Sequence, residues 1–144
     1  RRVNIMPTVK LYDGKRYFAE NVSANNTVAA ADSGVVLNII ADALVTTLPN
    51  ITTALAGTLV IVKLGGVPAG GPVGSGANKS VGHAISPHSS DKIVGLGAAG
   101  VADKDLLMVK ASMQVGDYVI LQAGDATEGN WNVVEAVGAW TREG

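Results

Sequence analysis

The side chains best suited to metal or acid–base chemistry are His83, His88 and Asp91, in the run His83-Ala84-Ile85-Ser86-Pro87-His88-Ser89-Ser90-Asp91. A zinc-type site needs three or four such donors converging on one point. The five-residue step from His83 to His88 fits neither a helix face nor the two-residue repeat of a strand face. The chain has only two histidines and no cysteine, so the ligand set is short and no metal or cofactor is expected. The stretch Ser86–Asp91 reads instead as a turn in which a serine or aspartate caps backbone groups.

Other candidate chemistry fails on context. Gly95-Leu96-Gly97-Ala98-Ala99-Gly100 matches G-x-G-x-x-G, but a dinucleotide site also needs a helix N-terminus behind the glycines to hold the pyrophosphate. Val101-Ala102-Asp103-Lys104-Asp105 follows instead, so a glycine-rich β-connection is expected. Gly71 and Gly76 are spaced as in a phosphate loop, yet Ala77-Asn78 pushes Lys79-Ser80 out of register. No G-x-S-x-G elbow is present for a serine nucleophile. Asp103 and Asp105 share one side of an extended segment, but in a charged, turn-like run rather than an acid–base pair. Asn21, Asn25, Asn50 and Asn78 stand in Asn-x-Ser/Thr sequons, read here as chance products of an Asn-, Ser- and Thr-rich chain. Trp131 and Trp140 could stack sugars or bases if exposed, and otherwise fill a β core or a subunit interface. No enzyme activity is expected.

The elements that would carry these residues are short strands. Apolar or alternating runs lie at Val35–Ile40, Val45–Leu48, Thr58–Leu64, His83–Ser86, Asp91–Val94, Leu106–Ala111, Tyr118–Gln122, Trp131–Val137 and Ala139–Arg142, separated by glycines such as Gly57, Gly82, Gly116 and Gly138. No long stretch holds a helical period, and Thr52–Ala56 offers about one turn. The pattern predicts an all-β single domain over residues 31–144, a barrel or sandwich of short antiparallel strands. Gly65 to Gly82 forms a long glycine- and proline-rich loop inside it.

Residues 1–30 read as an extended arm. Asp13-Gly14 is a turn signal that could close a small hairpin, and Tyr12, Tyr17 and Phe18 are half of the chain's six aromatics. The arm also holds Arg1, Arg2, Lys10, Lys15 and Arg16, suited to pairing with acidic residues on another protein. Arg1-Arg2-Val3-Asn4-Ile5 has no apolar run of the secretory kind, so no signal peptide is expected.

Composition bears on partners. With 144 residues, 47% of them hydrophobic, the chain can bury a core without disulfides. A net charge of −1 argues against a dedicated nucleic-acid or anionic-membrane binder, and apolar runs such as Leu59-Val60-Ile61-Val62 are too short to span a bilayer. Charged residues make up 16% where about 25% is usual. Residues 21–90 contain only Asp32, Asp42, Lys63 and Lys79, so part of the outside is expected to be covered by other chains. Leu48, Pro49, Val60, Val62, Trp131 and Trp140 are the expected core of that oligomer contact.

Ala41-Asp42-Ala43-Leu44-Val45-Thr46-Thr47-Leu48-Pro49, Gly57-Thr58-Leu59-Val60-Ile61-Val62 and Ile85-Ser86-Pro87 belong to a recurring pattern. Asp91-Lys92-Ile93-Val94-Gly95, Gly116–Leu121, Gly129–Glu135 and Gly138-Ala139-Trp140 continue it. Over residues 32–142 the chain resembles small β-rich structural proteins of tailed bacteriophages: capsid decoration (cement) proteins and head-fibre or tail-fibre modules. The resemblance rests on glycines, prolines, tryptophans and alternating apolar residues, with no catalytic signature. It implies a barrel or sandwich that trimerises and sits on the outer capsid surface of the virion, bridging major capsid protein subunits after synthesis in the bacterial cytoplasm. A fibre module binding host glycans is the alternative it leaves open.

Overall fold

Short apolar runs broken by glycines fold into eleven strands. The computed structural model describes residues 19–30, 33–54, 56–65, 83–109 and 112–144. In chain order the strands are β1 (Ala19–Val22), β2 (Asn26–Thr27), β3 (Val35–Ile39), β4 (Leu44–Thr47), β5 (Leu59–Leu64) and β6 (His83–Ser86). They continue with β7 (Lys92–Val94), β8 (Leu106–Met108), β9 (Tyr118–Ala123), β10 (Asn130–Val137) and β11 (Trp140–Arg142). There is no helix among the described residues, and Thr52 lies in a turn in which Thr53 and Ala54 donate back to the Asn50 carbonyl.

The strands form two sheets, one ordered β1-β3-β5-β9-β10-β7 and the other β11-β8-β6-β4-β2. From β1 to β8 the chain changes sheet at every strand. From β3 to β6 each strand lies beside the strand two earlier, running the same way, as in β1–β3–β5 and β2–β4–β6, whereas β7 joins β10, also in parallel. This corrects the expectation of uniformly antiparallel strands. The glycine turns are mostly corners between sheets, and antiparallel pairing enters only where β8 meets β6 and β11, and β9 meets β5 and β10.

Alternation explains the burial. Val35, Leu37 and Ile39 of β3, Val60, Val62 and Leu64 of β5, and Val119 and Leu121 of β9 point inward. There they meet Leu48, Ile85, Leu106 and Met108 from the other sheet and its corners in one continuous core. Trp131 of β10 is fully buried in it, its Nε1–H donating to the Pro49 carbonyl at 3.4 Å. The open flank between the sheets at β7 and β11 is bridged by one side chain. Arg142 donates to the carbonyls of Ile93 at 2.6 Å and Gly95 at 2.7 Å.

One expected boundary moves. Residues 19–22 and 26–27, placed by sequence in the arm, are strands of the domain, because the alternation continues through Val22 and Val28 into the core. The rest of the arm, with Arg1, Arg2, Lys10, Tyr12, Lys15, Arg16, Tyr17 and Phe18, lies outside the described residues. So do residues 66–82 of the long loop, including Lys79-Ser80.

Candidate functional site

Each residue with chemical potential is tied into the fold. His83 is fully buried on β6, bonded through Nε2 to Thr46 Oγ1 at 2.8 Å. His88 lies in the exposed turn beyond, near Asn50 and Ser90. Asp91 is buried and accepts the Ile51 backbone N–H at 2.8 Å. Among the described residues no group of three His, Cys, Asp or Glu side chains is placed to hold a metal. The Ser86–Asp91 segment is a turn whose acid caps a backbone N–H.

The G-x-G-x-x-G run is a tight hairpin. Gly95 and Ala98 exchange both backbone hydrogen bonds, and Leu96 and Gly97 carry φ of +53° and +79°. Positive φ at both central residues marks the I′ geometry that matches strand twist. A Cβ on Gly100 would sit 2.5 Å from the Ile93 carbonyl oxygen, so this glycine serves close packing. No helix follows.

The acidic residues divide between structural tasks. Asp105 is half-buried, and desolvation pushes its carboxyl above the usual range, against a hydrogen bond from Ser86. Lys104 pairs with Glu143 at 2.9 Å beside it. Asp125 accepts from the Thr127 hydroxyl and from the Thr127 and Glu128 backbone N–H groups, and the hydroxyl bond is the largest influence holding its carboxyl below the usual range. That arrangement closes the β9–β10 connection.

The remaining feature is a surface. In β3, β5 and β9 the residues between the buried ones face away from the core, and many are aliphatic: Val36, Leu59, Ile61 and Ile120, all half-buried. Register sets Ala19, Val36, Ile61, Ile120 and Glu135 in one row across five strands. A second row runs Asn21, Asn38, Lys63, Tyr118 and Val137. The Tyr118 hydroxyl donates to Glu135 Oε2 at 2.6 Å between the rows, and that bond raises the phenol's pKa. Val134, the extra residue at the β10 bulge, is 56% exposed, and Val137 is 42% exposed. On the outward positions of β3, β5, β9 and β10, Lys63 and Glu135 are the only charges.

Most of the residues expected at an oligomer contact lie in the protomer's own core. Leu48, Val60, Val62 and Trp131 are buried in the protomer's own core, and Pro49 is buried beside them. Trp140 is half-buried against that core, its Nε1–H donating to the Val137 carbonyl at 3.0 Å. Those side chains point inward and leave little for a second chain to touch. The outward neighbours Leu59 and Ile61 are the ones available. Their signal was present in Leu59-Val60-Ile61-Val62, apolar at every position, a pattern proper to a strand covered on both faces. No protein-family model matches the chain, and no curated protein sequence matches it.

Proposed function

We propose that the chain is a non-catalytic structural subunit of a bacteriophage capsid surface. In this reading it is a decoration protein that assembles as a homotrimer and bridges neighbouring major capsid protein subunits from outside. The observation that carries the reading is the outward face of the six-stranded sheet: an aliphatic row across β3, β5 and β9, with Lys63 and Glu135 the only charges on the outward positions of β3, β5, β9 and β10 and Lys92 on the edge strand β7. A monomer in water ordinarily covers such a surface with charge, whereas the buried centre of a subunit interface is depleted of it. The sequence resemblance to phage decoration proteins supplies the setting. The mechanism is mechanical: a subunit that binds several shell proteins only when they are assembled stabilises the assembled state by mass action. The glycan-binding alternative needs an open indole, and Trp131 is closed inside the core with Trp140 packed against its rim.

Cosedimentation of the purified protein with undecorated phage heads, with its native mass measured in parallel, tests the proposal. The expected result is a trimer in solution and saturable pelleting with heads. A monomer at micromolar concentration that stays in the supernatant overturns it.

A further inference from the structure

At one end of the same face, Asn21, Asn38 and Lys63 stand side by side on the parallel strands β1, β3 and β5. Neighbouring strands lie about 4.8 Å apart, so the three side chains form a short polar ladder. They line an open depression of about 240 Å³, with Ile40, Gly65 and Val115 among its other walls. A Cβ on Gly65 would lie 3.0 Å from Ile40 Cγ2 and 3.1 Å from the Ile39 carbonyl oxygen, so this glycine lets the chain pass close beside β3.

Two features of the ladder lack an internal explanation. Lys63 makes no ion pair with a described residue, the one such pair being Lys104–Glu143. Asn38 Oδ1 is shut away from solvent with no hydrogen-bond partner. An orphaned buried oxygen is unfavourable, and an aliphatic residue would avoid that cost. With Oδ1 turned in, Nδ2 is the atom left to face the depression that Asn38 lines. Asn21, exposed on the edge strand, adds a second amide.

The site thus presents N–H donors from two amides and an ammonium, with a single positive charge. Its complement is an acceptor-only group with a single negative charge. We infer that this depression is a carboxylate-binding site. A phosphate dianion would leave one charge uncompensated, and a neutral amide would leave Lys63 unpaired. The carboxylate is either an acidic side chain of another protein or a free small acid.

The test is titration of the ¹⁵N-labelled full chain, followed through the side-chain amide signals of Asn21 and Asn38. The probes are N-acetyl-aspartate N-methylamide, its asparagine counterpart, acetate and inorganic phosphate. Saturable shifts are expected with the blocked aspartate and not with the blocked asparagine. Tighter binding of blocked aspartate than of acetate assigns a protein-borne carboxylate, and equal binding assigns a free acid. Lys63→Gln, at an outward position, should weaken binding by about tenfold or more while the backbone spectrum stays folded. Asn21→Ala, at the exposed edge, should weaken it by about threefold. No saturable shift with either carboxylate, equal shifts with the blocked asparagine, tighter binding of phosphate, or an unchanged affinity in Lys63→Gln would each overturn the assignment.

Discussion

His83 is the residue whose chemistry the fold most constrains. The Thr46 hydroxyl has one proton and donates it to Asn26 Oδ1 at 2.8 Å. At its other contact, 2.8 Å from His83 Nε2, it must therefore accept, which places the imidazole proton on Nε2. Nδ1 is left bare, buried and without a partner. Burial of this neutral ring lowers the His83 pKa from 6.5 to about 4. The folded value lies below the unfolded one, so between them the unfolded chain binds more protons. His83's contribution to stability is then complete above about pH 6.5 and is lost as pH falls towards 4. By the linkage relation the loss approaches about 3 kcal/mol. Asp105, whose folded pKa is raised, works in the opposite sense: its favourable contribution is present below the usual carboxylate range and lost as pH rises through it. His83→Gln keeps a donor for Thr46 and removes the titration. Urea midpoints at pH 7 and pH 4.5 should fall much less between the two conditions for the variant than for the parent protein. Equal falls would show that the imidazole takes up no proton on unfolding.

At the scale of the element, strands were easy to locate and their partners were not. Nine expected runs correspond to β3–β11, and His83–Ser86 agrees end to end, because short apolar segments between glycines carry the strand signal locally. β1 and β2 were hidden in a polar stretch, Glu20-Asn21-Val22-Ser23-Ala24-Asn25-Asn26-Thr27, whose place depends on pairing with β3 and β4. The parallel winding was hidden too. A glycine marks where the chain bends, and whether the next strand lies beside the last or across the core is decided by packing of both sheets. Parity was readable in principle, since Leu59-Val60-Ile61-Val62 must send alternate residues outward, but only the opposite sheet decides which set faces in. The carboxylate ladder is a product of that pairing: Asn21, Asn38 and Lys63 are far apart in sequence and adjacent only in register. Arg142 shows what closure of the flank is worth. It is the chain's link between β11 and the Ile93 and Gly95 carbonyls at the other sheet's edge. Arg142→Met removes two charge-assisted hydrogen bonds while keeping part of the side chain's packing. The expected loss is about 2 kcal/mol in urea unfolding, with an unchanged denaturant slope.

The whole molecule combines an acidic domain with a basic leading segment and an apolar outer face, and each makes a separate demand on assembly. Residues 1–18 hold five basic side chains and one acid, a net +4, so a chain of net −1 leaves −5 on residues 19–144. If the outer face of the six-stranded sheet joins copies of the chain, Ile61→Lys should shift native mass to the monomer without lowering the urea midpoint of the protomer. Val60→Ala, one position away and inward, should do the reverse: roughly 2 kcal/mol of stability lost from the core, with assembly intact. On the proposed function, the leading segment is the part that binds the shell. Because β1 begins at Ala19 and is already paired with β3, deletion of residues 1–18 removes no described strand. The shortened protein should therefore fold and trimerise as before. Its capsid binding should be lost together with the salt sensitivity that a +4 segment confers on association with an acidic surface. Occupancy of phage heads by the shortened protein equal to that of the full chain would refute the role of Arg1, Arg2, Lys10, Tyr12, Lys15, Arg16, Tyr17 and Phe18 as the capsid anchor and move that role to the folded domain.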